Sequence, residues 1–176
     1  MGDIIYLLGY MGAGKSTVSR KLAKRLGLEF IDLDKEFEKK YKYSINSFFQ
    51  KFSEKDFREL EQQLLIEVSE NFSGVCSVGG GTPCFYNNID IMNNSGITIF
   101  LNVEEDILFK RLYKSPKQRP LFDKFNDTDA EIDKHKEIYQ KRKFYYSQAK
   151  IIIELSDESP TEVVDIICNR YCMIKP

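Results

Sequence analysis

The chain has 176 residues, 42% of them hydrophobic, with 26 Lys plus Arg against 27 Asp plus Glu, a net charge of −1 and a pI of about 6.0. These figures fit one domain with a substantial core, residues 1–176, and leave no overall basic field that would draw in nucleic acid. No apolar run approaches the roughly eighteen residues of a membrane span, and the start carries neither a secretory signal pattern nor the Ser or Thr of a myristoylation signal, so the cytoplasm is the expected compartment.

Ile4 to Leu8 reads as a first strand. It runs into Gly9-Tyr10-Met11-Gly12-Ala13-Gly14-Lys15-Ser16, which fits G-x-x-x-x-G-K-[ST] between a strand and a helix. Glycines there let backbone N–H groups converge on phosphate oxygens, and the helix N-terminus favours the anion. Lys15 can reach the β- and γ-phosphates of a nucleotide, and Ser16 is placed to ligate Mg²⁺. A Gly-rich turn before a helix is the alternative. The helix spans about Lys15 to Leu26, with Val18, Leu22 and Leu26 on one stripe and Gly27 as its stop, while Arg20, Lys21, Lys24 and Arg25 form a solvated face.

Phe30 to Leu33 is a short second strand, followed by helices over Glu36 to Lys42 and Ser44 to Phe52. Ser53-Glu54-Lys55-Asp56 is a capping-box-like start to a helix with Phe57, Leu60, Leu64 and Val68 on one side. Val75 to Val78 is a third strand ending in Gly79-Gly80-Gly81, Ile97 to Asn102 a fourth, and Glu104 to Tyr113 a helix. Residues 115–126 are polar, with two prolines and no periodicity, a length that suggests a lid. A helix over Asp129 to Tyr146, a fifth strand over Ile151 to Leu155 and a helix begun by Ser159-Pro160-Thr161-Glu162 complete the chain. Apolar strands alternating with helices specify an α/β parallel sheet covered on both faces.

Ligands in such sheets sit beyond the carboxyl ends of the strands. Strand two ends in Asp32 and Asp34, which alternation along an extended segment would put on one side. A phosphoryl transferase needs a metal-associated carboxylate and a group that orients the attacking hydroxyl, and the two aspartates can divide those roles; capping the next helix is the alternative. Arg58 and Glu61 are neighbours on a helix surface, either an exposed ion pair or a guanidinium held ready for a carboxylate. The triple glycine is either a flexible turn or a place where backbone approaches a bound molecule. Arg119, within the lid-like segment, is either a mobile surface residue or an arginine that closes on transferring phosphates.

Cys76, Cys84, Cys168 and Cys172 contain no C-x-x-C pair, and with one His in the chain they make a poor zinc set. Cys168 and Cys172 read as buried apolar positions, whereas Cys84, just past the triple glycine, has no adjacent His or Lys to activate it. His135, in a charged helical stretch, is expected to face solvent.

Together, the Gly9–Thr17 loop, Phe30-Ile31-Asp32-Leu33-Asp34, Phe57-Arg58-Glu59-Leu60-Glu61, Gly79-Gly80-Gly81, Arg119-Pro120-Leu121-Phe122 and Arg142 to Tyr146 resemble, in order, the motifs of the shikimate kinase family, over about Ile5 to Tyr171. The resemblance implies transfer of the γ-phosphate of ATP to the 3-hydroxyl of shikimate, on the route to chorismate and the aromatic amino acids. It implies that Gly12, Ala13, Gly14, Lys15, Ser16 and Thr17 hold the nucleotide phosphates, and that Ser16, with Asp32 through water, holds Mg²⁺. By it Asp34 binds the acceptor hydroxyl as base or orienter, Arg58 and Arg142 bind the carboxylate, and Gly79, Gly80 and Gly81 line the substrate. Arg119 would reach the phosphates with the lid, and Arg111 and the loop near Pro160 would border the adenine. The implied fold is a three-layer, nucleoside-monophosphate-kinase-like P-loop domain with a five-stranded parallel sheet in the order 2-3-1-4-5, an acceptor-binding helical region over 34–61, and a monomeric state.

The chain departs from the family's usual pattern in three places. Phe37 and Lys42-Tyr43 stand where the family has Ile and a Gly-containing turn, Ser53-Glu54-Lys55-Asp56 lacks a Gly-Glu pair, and Phe144 replaces a Pro. None removes a chemical group. Rival readings are a kinase of the same fold acting on gluconate or a nucleoside monophosphate, and a regulatory nucleotide-binding module without turnover.

Overall fold

The computed structural model describes residues 4–113 and 129–172. In chain order the elements are β1 (Ile4–Leu8), α1 (Lys15–Leu26), β2 (Phe30–Asp32), α2 (Leu33–Tyr41), α3 (Ile45–Lys51), α4 (Glu54–Asn71), β3 (Gly74–Ser77), a 3₁₀ turn (Thr82–Cys84), α5 (Asn88–Ser95), β4 (Gly96–Val103), α6 (Glu105–Tyr113), α7 (Asp129–Tyr146), β5 (Ile151–Leu155) and α8 (Pro160–Cys172). All strand pairs are parallel and the sheet order is β2-β3-β1-β4-β5, as the resemblance implied.

Alternation along β1 divides the core in two. Ile5 and Leu7 face α1 and α8, packing with Val18, Leu22, Val163 and Ile167. Ile4, Tyr6 and Leu8 face the opposite side, with Phe37, Phe48, Leu64, Leu65 and Val68 from α2, α3 and α4. Edge strand β5 departs from the continuous apolar pattern, since Ile152 and Glu154 are exposed on one face. Among the described residues, no helix is long and apolar enough to cross a membrane.

The β2–α2 junction corrects the expected strand over Phe30–Leu33. The strand stops at Asp32 and the helix opens at Leu33, so Asp34 lies in the first helical turn rather than two residues along an extended strand. Leu33 is buried under the helix, and Asp34 and Glu36 lie in its first turn, where the helix dipole favours carboxylates. The α5 helix was not read from the sequence because its Asn-rich stretch shows little periodicity; burial of Ile89 and Met92 and a bond from Asn88 Nδ2 to Thr82 O (2.8 Å) hold it.

Two family departures are absorbed locally. Phe37 is buried in an aromatic cluster, its ring centroid 4.7 Å from Phe57 and 5.4 Å from Phe48. Lys42 closes α2 in the left-handed region at φ 61°, a conformation in which glycine is unstrained. The expected lid at 115–126 lies outside the described residues, and Arg119 with it.

Candidate active site

Sheet register aligns the functional strand ends. Asp32 pairs with Ser77, which pairs with Leu7, so the ends of β2, β3 and β1 open on one cleft of about 490 Å³. The phosphate loop closes one side of it. Gly12 (φ 86°) and Gly14 (φ 83°) take left-handed conformations, and a Cβ at Gly14 would meet nothing within 4 Å, so glycine there serves the turn rather than a protein contact. The first turn of α1 holds no acidic residue, which leaves its positive end free for an anion. Lys15 Nζ donates to Gly9 O (2.9 Å) and Tyr10 O (3.2 Å), which folds the ammonium back over the loop.

Ser16 Oγ donates to Asp32 Oδ2 at 2.6 Å and lies 3.3 Å from Ser77 Oγ. Asp32 occupies the N-cap position of α2, yet its side chain makes no capping bond, so the carboxylate is turned to the phosphate loop instead. Hydroxyl and carboxylate oxygens in one open cleft are the hard donor set that suits Mg²⁺, which keeps several waters and phosphate oxygens in its shell. Asp34 lies in the same cleft. Burial, then the Glu61 and Asp32 carboxylates, push its carboxyl up to about 7, against the pull of Lys15 and Arg58. Among the described residues none donates a hydrogen bond to Asp34, in contrast to Asp32.

Arg58 is not an exposed ion pair. It is buried on α4, where Nη1 donates to the equally buried Glu61 Oε2 at 2.8 Å and Nε and Nη2 donate to Glu54 Oε1 at 3.3 and 3.0 Å. Its guanidinium is stacked 4.2 Å from the Phe85 ring centroid and 5.0 Å from that of Phe57. Thr82 Oγ1 donates to Glu61 Oε1 at 2.6 Å and completes that carboxylate's bonding.

Each residue of the triple glycine has a different neighbour. A Cβ at Gly79 would lie 2.8 Å from Asp34 Oδ1, at Gly81 2.7 Å from Arg58 Nη2, and at Gly80 3.8 Å from Arg142 Nη1 and 3.4 Å from Met11 N. Three charged groups therefore approach one short backbone segment, and at Gly79 and Gly81 a Cβ would intrude on them. Arg142 reaches this place from α7, while Phe144 two residues later is 69% exposed and leaves the site untouched.

A second cleft of about 390 Å³ separates Gly12, Ala13 and Gly14 from the β5–α8 loop, with Arg111 and Pro160 on its walls. Arg111 Nη2 donates to Asp157 Oδ1 at 3.3 Å and Ser156 O at 3.5 Å, which ties α6 to that loop.

Lys15, Ser16, Thr17, Asp32, Asp34, Gly79, Gly80 and Arg111 thus share the first cleft, Arg58 and Arg142 lie close to Gly81 and Gly80 at its triple-glycine wall, and Pro160 lines the adjoining one. Sequence reasoning missed Ser77, Glu54, Thr82, Tyr10 and Tyr146. Tyr146 is wholly buried and donates to Gly80 O. His135 contradicts its expected exposure: it is buried, with Nδ1 3.3 Å from Tyr10 Oη. Cys84 is half-buried, and burial pushes its thiol up to about 11, so it is no activated nucleophile.

The family model described as shikimate kinase matches residues 11–171. A shikimate kinase of Phocaeicola vulgatus is 44% identical over 154 residues, covering 87% of each chain. Among solved structures, a shikimate kinase from Bacteroides thetaiotaomicron superposes with a TM-score of 0.88 at 38% identity, covering 96% of this chain and 98% of that one. A shikimate kinase from Acinetobacter baumannii in complex with shikimate gives 0.88 at 31% identity over 99% of this chain and 96% of that one.

Proposed function

Since this chain belongs to the shikimate kinase family, we propose that it transfers the γ-phosphate of ATP to the 3-hydroxyl of shikimate, giving shikimate 3-phosphate and ADP, with the residue roles below. The observation that carries the reading is the convergence of Asp34, Arg58 and Arg142 on the triple glycine, opposite the phosphate loop. A small hydroxylated carboxylic acid needs arginines for its carboxylate and a carboxylate for its hydroxyl.

The loop amides, Lys15 and Thr17 hold the phosphates, and Arg111 and Pro160 border the base. Ser16 and, through water, Asp32 would hold Mg²⁺, which would supply positive charge against the phosphate oxygens. Arg58, fixed by Glu54 and Glu61, meets the acceptor carboxylate together with Arg142. Asp34 accepts the hydroxyl proton as the hydroxyl oxygen bonds to phosphorus and the bond to the ADP oxygen breaks; burial and the neighbouring carboxylates raise its affinity for that proton. The family resemblance assigns Arg119 to the phosphates; that residue lies outside the described residues. Use of ATP and Mg²⁺ fits the cytoplasm.

The test is ADP release by the purified protein with Mg²⁺ and ATP, comparing shikimate, gluconate, quinate and AMP. Release dependent on shikimate is expected; release driven equally by another acceptor, or none with shikimate, overturns the reading.

A further inference from the structure

Tyr10 occupies one of the four unspecified positions of the G-x-x-x-x-G-K-[ST] loop, yet its side chain is packed into a socket formed by α6 and α7. The ring is buried and meets Tyr139 and Phe109 edge-on, at centroid distances of 5.3 and 6.3 Å. Its hydroxyl donates to His135 O at 3.3 Å. The Arg142 guanidinium lies over the ring, 5.7 Å from its centroid. His135, Tyr139 and Arg142 are spaced four and three residues apart, so one face of α7 wraps this single side chain. From the other end of the residue, Tyr10 O accepts from Lys15 Nζ and from Ala13 N, each at 3.2 Å.

The two acceptor-side arginines are held by different means. Arg58 spends donors on Glu54 and Glu61, whereas among the described residues no carboxylate is paired with Arg142. An aromatic face attracts the flat of a guanidinium and leaves its in-plane N–H edges available, so it orients the group without consuming the donors that a carboxylate would use. Gly80 lies close to the same guanidinium, and Tyr146, which donates to the Gly80 carbonyl, also hydrogen-bonds the Arg142 side chain.

We propose that Tyr10 is a positioning residue for the acceptor, its ring holding Arg142 in the pose that meets the acceptor carboxylate, so that the donor loop and the acceptor arm are set against each other through one side chain. The inference rests on the assignment of Arg142 to carboxylate binding. Tyr10→Leu is expected to raise KM for shikimate by ~5-fold, with kcat lowered less than about 2-fold and ADP affinity, by calorimetry, within about 2-fold of the parent. Tyr10→Phe, which keeps the ring, should recover most of the lost shikimate affinity. Tyr10→Met, similar in bulk but without a π face, carries the same expectation as Tyr10→Leu should that variant not fold. In an Arg142→Ala background, Tyr10→Leu should raise KM no further. The inference is overturned if Tyr10→Leu weakens ADP and shikimate equally, which would mark a general loop defect, or if its effect on KM persists undiminished without Arg142. If Arg142→Ala alone leaves KM for shikimate unchanged, the failure lies in the assignment of Arg142 itself.

Discussion

Arg58 shows how burial changes the meaning of a charge pair. A guanidinium three residues before a glutamate is, at a surface, worth a few tenths of a kcal/mol; here both groups are almost inaccessible, and the guanidinium is fixed between Glu54 and Glu61 against Gly81. Arg58→Ala should raise KM for shikimate at least ~10-fold, and Arg58→Lys should not restore it because an ammonium lacks the planar fork; an unchanged KM would reduce Arg58 to a structural ion pair. Asp34→Asn should lower kcat at least ~100-fold while calorimetry still finds ADP binding, and parent-like turnover would contradict its proton-accepting role. His135 carries a pH effect on stability. Burial, then the charges of Lys134 and Arg142, hold its imidazole below the ordinary value of 6.5, so the unfolded chain binds the proton more readily than the folded one. Its contribution is present above that ordinary value and is lost as pH falls below it. The urea midpoint should therefore drop more steeply below pH ~6.5 in the parent than in His135→Gln, and parallel curves would refute this. Motif-bearing residues were legible because their spacing is their signal. Tyr10, Tyr146 and His135 were not, since an aromatic or a lone imidazole has no spacing code and only packing shows its partners.

At the scale of elements, the chain's departures from its family are local solutions. Lys42 pays a left-handed conformation for closing α2, so Lys42→Gly should stabilise by about 0.5–1 kcal/mol in urea unfolding, the relief of strain being partly offset by glycine's greater freedom in the unfolded chain. Ser53 caps α4 reciprocally, with Asp56 N donating to Ser53 Oγ at 3.2 Å and Ser53 N donating to Asp56 Oδ2 at 2.9 Å. Ser53→Ala should cost about 1 kcal/mol, and because α4 carries Arg58 and Glu61, it should also raise KM for shikimate slightly; no change in stability would show that packing alone holds the helix start. That cap was readable from Ser53-Glu54-Lys55-Asp56, as was the start of α8. The β2–α2 junction was not, because Leu33 fits a strand or a helix equally and only the pocket beneath it decides. The polar α5 was invisible for a related reason: its identity depends on Ile89 and Met92 finding the core.

For the whole molecule, parallel register is what turns scattered motifs into a site. It brings Asp32, Ser77 and the phosphate loop to one edge of the sheet, and the helices on the two faces then deliver Arg58 from one side and Arg142 from the other. The strand order followed from the family resemblance rather than from hydrophobic periodicity, which fixes strands and faces but not their neighbours. The proposed phosphoryl transfer requires donor and acceptor halves paired across that edge. Its most direct test is to incubate the protein with Mg²⁺, ATP and shikimate and locate the transferred phosphate by two-dimensional ³¹P–¹H NMR. The account predicts one phosphorylated product whose phosphorus correlates with the proton on carbon 3; phosphate on another hydroxyl, or inorganic phosphate alone, would contradict it.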